Sequence, residues 1–288
     1  MPELPEVEVV KRSLKKTISK LKIRKVIINN SKLRYKVNKQ YFKKILKKKI
    51  VSIRRRSKYL LFNFESKLTM LVHLGMTGKF ILMNKKKQKK ITSFYYKLSN
   101  KDNKHNHIIF LLNNNTKLIY NDVRRFGFIK VFSNFKEKNI SHLKILGPEP
   151  LSNNFNFKYF INYILNKNKS IKNCLMDQKF VAGLGNIYVN EVLFLSGINP
   201  LRNLKDINSK EVKKILINIK KILKRAIKEG GSSIKNFSDS KGNSGKFQKE
   251  FKIYGRKGDK CVSLKCSEVI KKVVICNRAT FYCNSCQK

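Results

Sequence analysis

The pattern of hydrophobic residues changes once along this chain, and that change limits the folds open to it. Between residues 22 and 132 the apolar residues fall in short runs rich in β-branched and aromatic side chains, which are typical of strands. From residue 155 onward they recur at helical spacing. Short strands at this spacing favour a sandwich or barrel, and the later helices favour a separate region. We therefore predict an α+β protein of several domains.

Eight strands are predicted in the first region. They are Ile23–Ile28, Ile50–Arg55, Tyr59–Phe64, Leu68–Leu74, Lys79–Met83, Ile108–Leu112, Lys117–Tyr120 and Phe128–Phe132. Three consecutive asparagines at 113–115 predict a hairpin turn. Residues 84–106 are polar and lysine-rich, so we expect a long loop or an irregular hairpin there.

Helices are predicted in the second region. Apolar residues share one face just after residue 155, a second helix runs from about Ile187 to Leu195, and the clearest spans 209–229 before two glycines. Asn208 and Glu211 have the spacing of a capping box at its start. Residues 133–153, which contain Gly-Pro-Glu-Pro, predict a linker, and the Gly- and Ser-rich residues 230–246 predict a loop.

The first eight residues place two prolines and three glutamates at the start of a basic chain. Pro5 suits the first position of a helix, and the glutamates after it favour the positive end of the helix dipole. If Met1 is removed, Pro2 carries a secondary amine, which attacks an electrophilic carbon and forms an iminium. Glu3 beside it can carry a proton. The segment predicts a capped helix and, after loss of Met1, a nucleophile.

The net charge points to a polyanionic partner. Lys and Arg number 66 against 17 acidic residues, a formal charge of +49, while 41% of the chain is hydrophobic. Nucleic acid is the simplest partner for such a chain. Because lysine, asparagine and isoleucine are abundant everywhere, as in proteins of AT-rich genomes, part of this charge is compositional. Neither a membrane span nor a signal pattern stands out, so we expect a cytoplasmic monomer with no membrane partner.

The C-terminal cysteines predict a metal site. Cys261, Cys266, Cys283 and Cys286 form two pairs separated by the length of a hairpin, which is typical of a structural zinc ribbon with four thiolates. Cys276 between the pairs is a spare that could compete. The hairpin would present Arg278 near its tip, where a guanidinium can clamp a phosphate.

Four further motifs are ambiguous when each is taken alone. Gly183–Ile187 fits an anion site at a helix start, yet a glycine-rich helix end is commoner. The turns at His73–Met76 and Arg124–Gly127 suit side chains that wedge between bases. Core packing is the commoner explanation for Met76 alone, and an exposed basic turn with Phe126 in the core also explains the second motif. Arg54–Lys58 is most simply a solvated face, although Lys58 could aim an ammonium at a leaving group.

Taken in order, these motifs resemble the formamidopyrimidine-DNA glycosylase family from end to end. The segments that carry the resemblance are Pro2–Glu8, Arg55–Leu60, His73–Met76, Arg124–Gly127, Leu146–Leu151, Gly183–Tyr188, Tyr254–Gly258 and Arg278–Cys286. The resemblance implies a bacterial base-excision repair enzyme, bifunctional as glycosylase and AP lyase. Its partner would be double-stranded DNA that contains 8-oxoguanine or formamidopyrimidines.

The resemblance also implies the fold and the role of each site residue. The expected domains are an N-terminal β-sandwich (1–133), a linker (134–153), a helix–two-turn–helix domain (154–250) and a zinc finger (251–288). The implied roles are Pro2 as nucleophile, Glu3 as proton donor and acceptor, Lys58 and Arg278 as further catalytic groups, Met76, Arg124 and Phe126 as fillers of the duplex, Asn186, Lys172 and His73 as DNA contacts, and Glu6 and Tyr254 as members of the lesion pocket. The 230–246 loop would close over the extruded base.

Three departures from the family pattern are visible. Four residues, where two are usual, separate Cys261 from Cys266; Val123 replaces the usual proline before the paired arginines; and the lysine run at 85–90 has no role. None of them involves Pro2 or Glu3.

Three other functions compete with this interpretation. A glycosylase of the endonuclease VIII type would share Pro2 and Glu3 but act on oxidised pyrimidines. A catalytically dead DNA-binding protein would retain Met1. An RNA-binding zinc-ribbon protein would explain the charge but not the N-terminus.

Overall fold

The computed structural model describes residues 1–83, 89–92, 100–232 and 246–288. Most of the predicted 230–246 loop and most of the lysine run at 85–90 lie outside these residues. The chain forms two compact units. Unit 1 contains residues 1–144 and 227–248, and unit 2 contains residues 145–226 and 249–288.

The strand-rich region precedes the helical region, as the sequence predicts. The strands are β1 (Ile23–Ile28), β2 (Ile50–Arg56), β3 (Tyr59–Phe64), β4 (Leu68–His73), β5 (Lys79–Met83), β6 (Lys89–Thr92), β7 (Asn106–Leu112), β8 (Lys117–Asn121), β9 (Phe128–Ser133), β10 (Lys271–Ile275) and β11 (Arg278–Tyr282). The α-helices are α1 (Leu4–Ile18), α2 (Lys39–Lys43), α3 (Ser141–Lys144), α4 (Phe157–Ile164), α5 (Ile171–Met176), α6 (Asn186–Ser196) and α7 (Ser209–Lys228). Within the described ranges, no helix has both the length and the apolar composition needed to cross a bilayer.

Unit 1 is built from two antiparallel sheets. One has the order β1-β7-β8-β5-β6, and the other has the order β2-β3-β4-β9. A single cluster of buried apolar side chains draws on both sheets and on α1. The β-sandwich prediction is confirmed, and each of the eight predicted strands lies within two residues of an observed one. The asparagine turn is also confirmed, because Asn115 has a φ of 61° and its N–H donates to the Leu112 carbonyl at 3.0 Å.

Unit 2 is helical and ends in the β10–β11 hairpin. The capping box that begins α7 is confirmed: the Asn208 N–H donates to Glu211 Oε2 at 2.9 Å, and the Glu211 N–H donates to Asn208 Oδ1 at 3.0 Å. Seven apolar residues of α7 are buried along one side of the helix. Glycine in the left-handed region ends α6, since Gly197 has a φ of 70°.

Candidate active site

The chain begins unit 1 with a buried, reciprocally capped helix. Pro2 and Glu3 are both buried, directly before α1. Glu3 is the N-cap residue, and its N–H donates to Glu6 Oε2 at 2.9 Å. The Glu3 side chain accepts in return from the Glu6 N–H, which completes a capping box. The predicted capped helix is therefore present, with Pro5 at its second position, since Leu4 is the first.

Glu6 also fixes a segment that is remote in sequence. Its Oε1 accepts from the Ser232 N–H at 2.8 Å and from the Ser232 hydroxyl at 3.0 Å. Gly231 has a φ of +82°, and a Cβ on it would lie 3.2 Å from Glu6 Oε1. A glycine there allows the backbone to come close to the carboxylate. Residues 231 and 232, which lead into the predicted loop, are thus fastened to the start of α1.

Lys58 lies on the tight turn between β2 and β3. Ser57 takes a φ of 54° in this turn, and Lys58 is only 7% exposed. Arg55 stabilises the turn, because its Nη1 donates to the Ser57 carbonyl at 2.9 Å while its Nε donates to Glu8 Oε2 at 3.0 Å. Glu8 belongs to α1, so this pair of contacts links the Lys58 turn to the helix that carries the N-terminus.

Glu8 is the electrostatic partner of three cations. Its Oε1 accepts from Lys11 at 2.7 Å and from Arg12 at 3.0 Å, in addition to the Arg55 contact. Burial by itself would raise the pKa of Glu8, but the hydrogen bonds from Lys11 and Arg55 and their positive charges outweigh it and lower the pKa. The carboxylate is therefore held in its charged form.

His73 is a neutral ring inside a cationic region. Burial and the charges of Lys58, Arg34, His142 and the α-amino group lower the pKa of His73 to about 3. Its Nδ1 accepts from the Gly75 N–H at 3.2 Å, which leaves the proton on Nε2. The ring stacks on Phe128 with centroids 5.6 Å apart. His73 can therefore serve as a neutral hydrogen-bond donor.

The predicted wedge residues lie together in unit 1. Met76 is 38% exposed and Phe126 is 45% exposed, each at the tip of a turn. The Arg124 guanidinium lies over the Phe126 ring, 4.5 Å from its centroid. All three side chains, together with His73, line one pocket of about 760 Å³. The sequence left open whether Met76 and Phe126 pack in the core, and the structure shows that both side chains are exposed.

Arg34 is a member of this pocket that the sequence analysis missed. Its N–H donates to the Gly127 carbonyl at 3.3 Å, so the segment after β1 contacts the Arg124–Gly127 turn. In so basic a chain, one more arginine 90 residues from this turn gave no signal in the sequence.

Unit 2 brings Lys172, Asn186 and Arg278 to one place. Asn186 begins α6 after the N-cap Gly185, and its Nδ2 donates to the Ala279 carbonyl at 2.8 Å. The buried Lys172 reaches the same carbonyl at 3.3 Å and the Thr280 hydroxyl at 2.5 Å. Arg278, directly before Ala279, is exposed at the start of β11. Asn186 at the start of α6 and the buried Lys172 on α5 therefore both donate hydrogen bonds to the hairpin.

Tyr254 is positioned by a buried acid that the sequence analysis also missed. Glu191 Oε1 accepts from the backbone N–H groups of Ile253 at 3.0 Å and Tyr254 at 2.8 Å, and its Oε2 accepts from the backbone N–H of Lys252 at 2.9 Å. Burial raises the pKa of Glu191, and these backbone donors oppose the rise. The Tyr254 ring lies 5.3 Å from that of Phe281, edge to face.

The four predicted cysteines form one cluster. Their sulfur atoms all lie within 4.8 Å of one another, with Cys261 and Cys286 at 3.8 Å and Cys266 and Cys283 at 3.6 Å. Thiolates at about 2.3 Å from a tetrahedral zinc would be about 3.8 Å apart, so the donor set fits that ion. The four residues between Cys261 and Cys266, where the family usually has two, do not keep the four sulfur atoms apart. Cys276 is exposed in the hairpin turn, outside the cluster.

Comparison with known proteins gives a consistent result along the chain. Residues 1–129 match the formamidopyrimidine-DNA glycosylase N-terminal domain, and residues 146–238 match the formamidopyrimidine-DNA glycosylase H2TH domain. A formamidopyrimidine-DNA glycosylase of Rickettsia bellii is 40% identical over 289 residues, which is 100% of each chain.

Solved structures agree with the sequence matches. The Fpg of Lactococcus lactis in complex with DNA containing an abasic site is 34% identical, with a TM-score of 0.86 over 99% of both chains. A mutant of that protein, in complex with DNA containing Fapy-dG, is 34% identical, with a TM-score of 0.87 over 100% of both chains. The chain therefore belongs to the formamidopyrimidine-DNA glycosylase family.

Proposed function

We propose that this protein is a bifunctional glycosylase and AP lyase that removes 8-oxoguanine and formamidopyrimidines from duplex DNA. The observation that carries the proposal is the placement of Pro2 and Glu3 at a capped helix start that Arg55 links to the Lys58 turn. Support for the substrate class comes from the Lactococcus relative, which was solved with Fapy-dG DNA.

The chemistry begins with the secondary amine of Pro2 after removal of Met1. The nitrogen lone pair attacks the sugar C1′, the bond from C1′ to the damaged base breaks, and the base leaves with a proton. Glu3 accepts the proton that the Pro2 nitrogen loses and donates a proton to the ring oxygen O4′, so the C1′–O4′ bond breaks and the nitrogen lone pair forms an iminium with C1′. The resulting iminium acidifies the adjacent C2′, so loss of a C2′ proton expels the 3′ phosphate, and a second elimination expels the 5′ phosphate.

The resemblance gives further residues a part in reaching the lesion. Extruding a base costs a few kcal/mol, and Met76, Arg124 and Phe126 offset that cost by filling the space it leaves. His73 donates to a phosphate as a neutral ring, and Lys58 lies near the lesion. Asn186 and Arg278 bind phosphates while Lys172 supports them. Glu6 and Tyr254 keep the roles at the lesion that the resemblance implies, while most of the 230–246 loop lies outside the described residues.

We assign zinc to the four-cysteine cluster as a structural ion. Cys261, Cys266, Cys283 and Cys286 would hold it, and all four ligand positions would be filled by protein. The ion would tie the two cysteine pairs together and so fix the β10–β11 hairpin that carries Arg278.

Borohydride trapping on a duplex with 8-oxoguanine opposite cytosine tests the proposal. Reduction of the iminium leaves a stable cross-link, and mass mapping should place it on Pro2. An adduct on Lys58 would mean that the nucleophile is wrong. Faster trapping on an oxidised-pyrimidine duplex would favour the endonuclease VIII type, and tight binding without an adduct, on protein that retains Met1, would favour a dead DNA-binding protein.

Two substitutions separate the proposed roles. Pro2→Gly should cripple base removal, because it replaces the secondary amine. Lys58→Ala should reduce excision of 8-oxoguanine more than cleavage at a ready-made abasic site, and equal losses on the two substrates would argue against a lesion-side role for Lys58.

A further inference from the structure

The turn that carries Met76 and the turn that carries Arg124 and Phe126 are in direct backbone contact within unit 1. A Cβ on Gly75 would lie 2.5 Å from the Gly127 nitrogen and 2.5 Å from the Phe126 carbonyl carbon. That separation excludes any side chain at position 75, which also has a φ of +62°. The two turns therefore meet as one surface, and something must hold them in this register.

Asp122, which has no exposed surface, lies beneath both turns and uses all of its polar atoms. One carboxylate oxygen accepts from the Thr77 hydroxyl, and the other accepts from the Gly127 N–H at 2.8 Å. Its N–H donates to the His105 carbonyl at 3.2 Å, and its carbonyl accepts from His107 Nε2 at 2.7 Å. The side chain thus reaches one donor on each turn while the backbone is fixed to β7 and the residue before it.

Thr77 completes the link. It is 4% exposed and directly follows Met76. Its hydroxyl donates to Asp122 and accepts from the Arg124 N–H at 3.0 Å. Burial and the neighbouring Asp122 raise the pKa of Tyr120, so its hydroxyl keeps its proton 3.4 Å from the same carboxylate. A chain of hydrogen bonds therefore runs from the residue beside Met76 to the backbone of Arg124 and Gly127.

We propose that Asp122 and Thr77 are positioning residues that join the two turns into one rigid wedge, so that Met76, Arg124 and Phe126 enter the duplex at a fixed spacing. The inference rests on the proposed function, which gives these three side chains their role in the duplex. Preorganisation matters here because ordering a side chain at the moment of binding costs conformational entropy. Neither positioning residue needs to touch DNA.

The test compares Thr77→Val with Thr77→Ser on two substrates. One is a duplex with 8-oxoguanine opposite cytosine, and the other is a single-stranded oligonucleotide with a ready-made abasic site, where no base pair must be opened. Thr77→Val should lower the single-turnover rate on the duplex about tenfold, the factor that corresponds to one buried hydrogen bond, and leave the single-strand rate within about twofold. Thr77→Ser, which retains the hydroxyl, should behave as wild type.

A matched control and a second variant keep the comparison decisive. Thr69 is also fully buried and its hydroxyl donates to Asn134 at 2.6 Å, but it lies on β4, so Thr69→Val should not change the ratio of the two rates. If Thr77→Val does not fold, Asp122→Asn replaces it, because its amide retains only one of the two acceptor oxygens. A 2-aminopurine beside the lesion reports wedge insertion directly, and its fluorescence rise should slow in parallel with the duplex rate.

Equal losses on both substrates, or equal impairment by serine and valine at position 77, would refute the positioning role. Wild-type protein that cleaves neither substrate would instead refute the proposed function. The fluorescence step would still test the wedge in that case, since it requires only insertion into DNA.

Discussion

Replacing Glu8 with glutamine should destabilise the protein by about 2–4 kcal/mol at neutral pH. Glu8 is 8% exposed and accepts charge-assisted hydrogen bonds from Lys11, Arg12 and Arg55. Hydrogen bonds to charged groups contribute about 1.5–3 kcal/mol each when shielded, which applies to Arg55 and in part to Lys11. The Arg12 side chain is 60% exposed, so it adds little.

The free energy of unfolding that Glu8→Gln loses should depend on pH in a defined direction. The pKa of Glu8 is lowered in the folded protein from an ordinary value of 4.5. A lowered folded pKa means that the stabilisation is complete above pH 4.5 and disappears as the pH falls through the folded value. The difference between wild type and Glu8→Gln should therefore be constant near neutrality and shrink below pH 4.5.

Urea unfolding at a series of pH values measures the free energy of unfolding of wild type and Glu8→Gln. A second ion pair of unit 1, between Arg54 on β2 and Glu137, supplies the control. Arg54 binds Glu137 at 2.7 Å, but the two side chains are 45% and 28% exposed. Glu137→Gln should therefore cost no more than about 0.5 kcal/mol. The reasoning fails if the two glutamine variants lose the same free energy of unfolding, or if the Glu8 difference persists unchanged at about pH 3.

The remaining predictions concern the cysteine cluster and two glycines. Cys276→Ser should retain one zinc ion per chain and Cys266→Ser should retain less, as measured by metal analysis of the purified variants. Gly127→Ala should lower the melting temperature far more than Gly258→Ala, since its Cβ would overlap the Tyr120 hydroxyl oxygen. A Cβ on Gly258 would have no atom within 4 Å. Alanine there would therefore be destabilised only by the φ of +87°, by about 1–2 kcal/mol. Similar melting temperatures for the two would contradict the close approach at Gly127.

Local patterns were enough to predict most of the framework. The strands of unit 1 are short runs rich in β-branched and aromatic residues, and the α7 stripe repeats at helical spacing, so both could be recognised from short windows. The Asn208–Glu211 capping box was predictable for the same reason, because both partners lie within one turn. The six-residue helix α5 was missed because its apolar pattern is too short to show a period.

Contacts between distant segments could not be predicted from residues alone. Glu191 and Asp122 act on backbone N–H groups, and any sequence offers such groups as partners. Arg34 reaches the Arg124 turn through the sheet register, which no single motif encodes. Lys172 was predicted as a DNA contact on resemblance, and the structure shows its ammonium bonded inside unit 2; its part in DNA binding stays a prediction.

The contact between Glu6 and Ser232 has a consequence for how the protein is made. The two residues are 226 positions apart, so closing this contact costs loop entropy that the sheets between them reduce once they have formed. Pro2, the proposed nucleophile, is synthesised well before residue 232, so the start of its helix gains this contact late. A chain that stops before residue 232 lacks the Ser232 partner of Glu6 and with it one of the contacts that hold the proposed site in place.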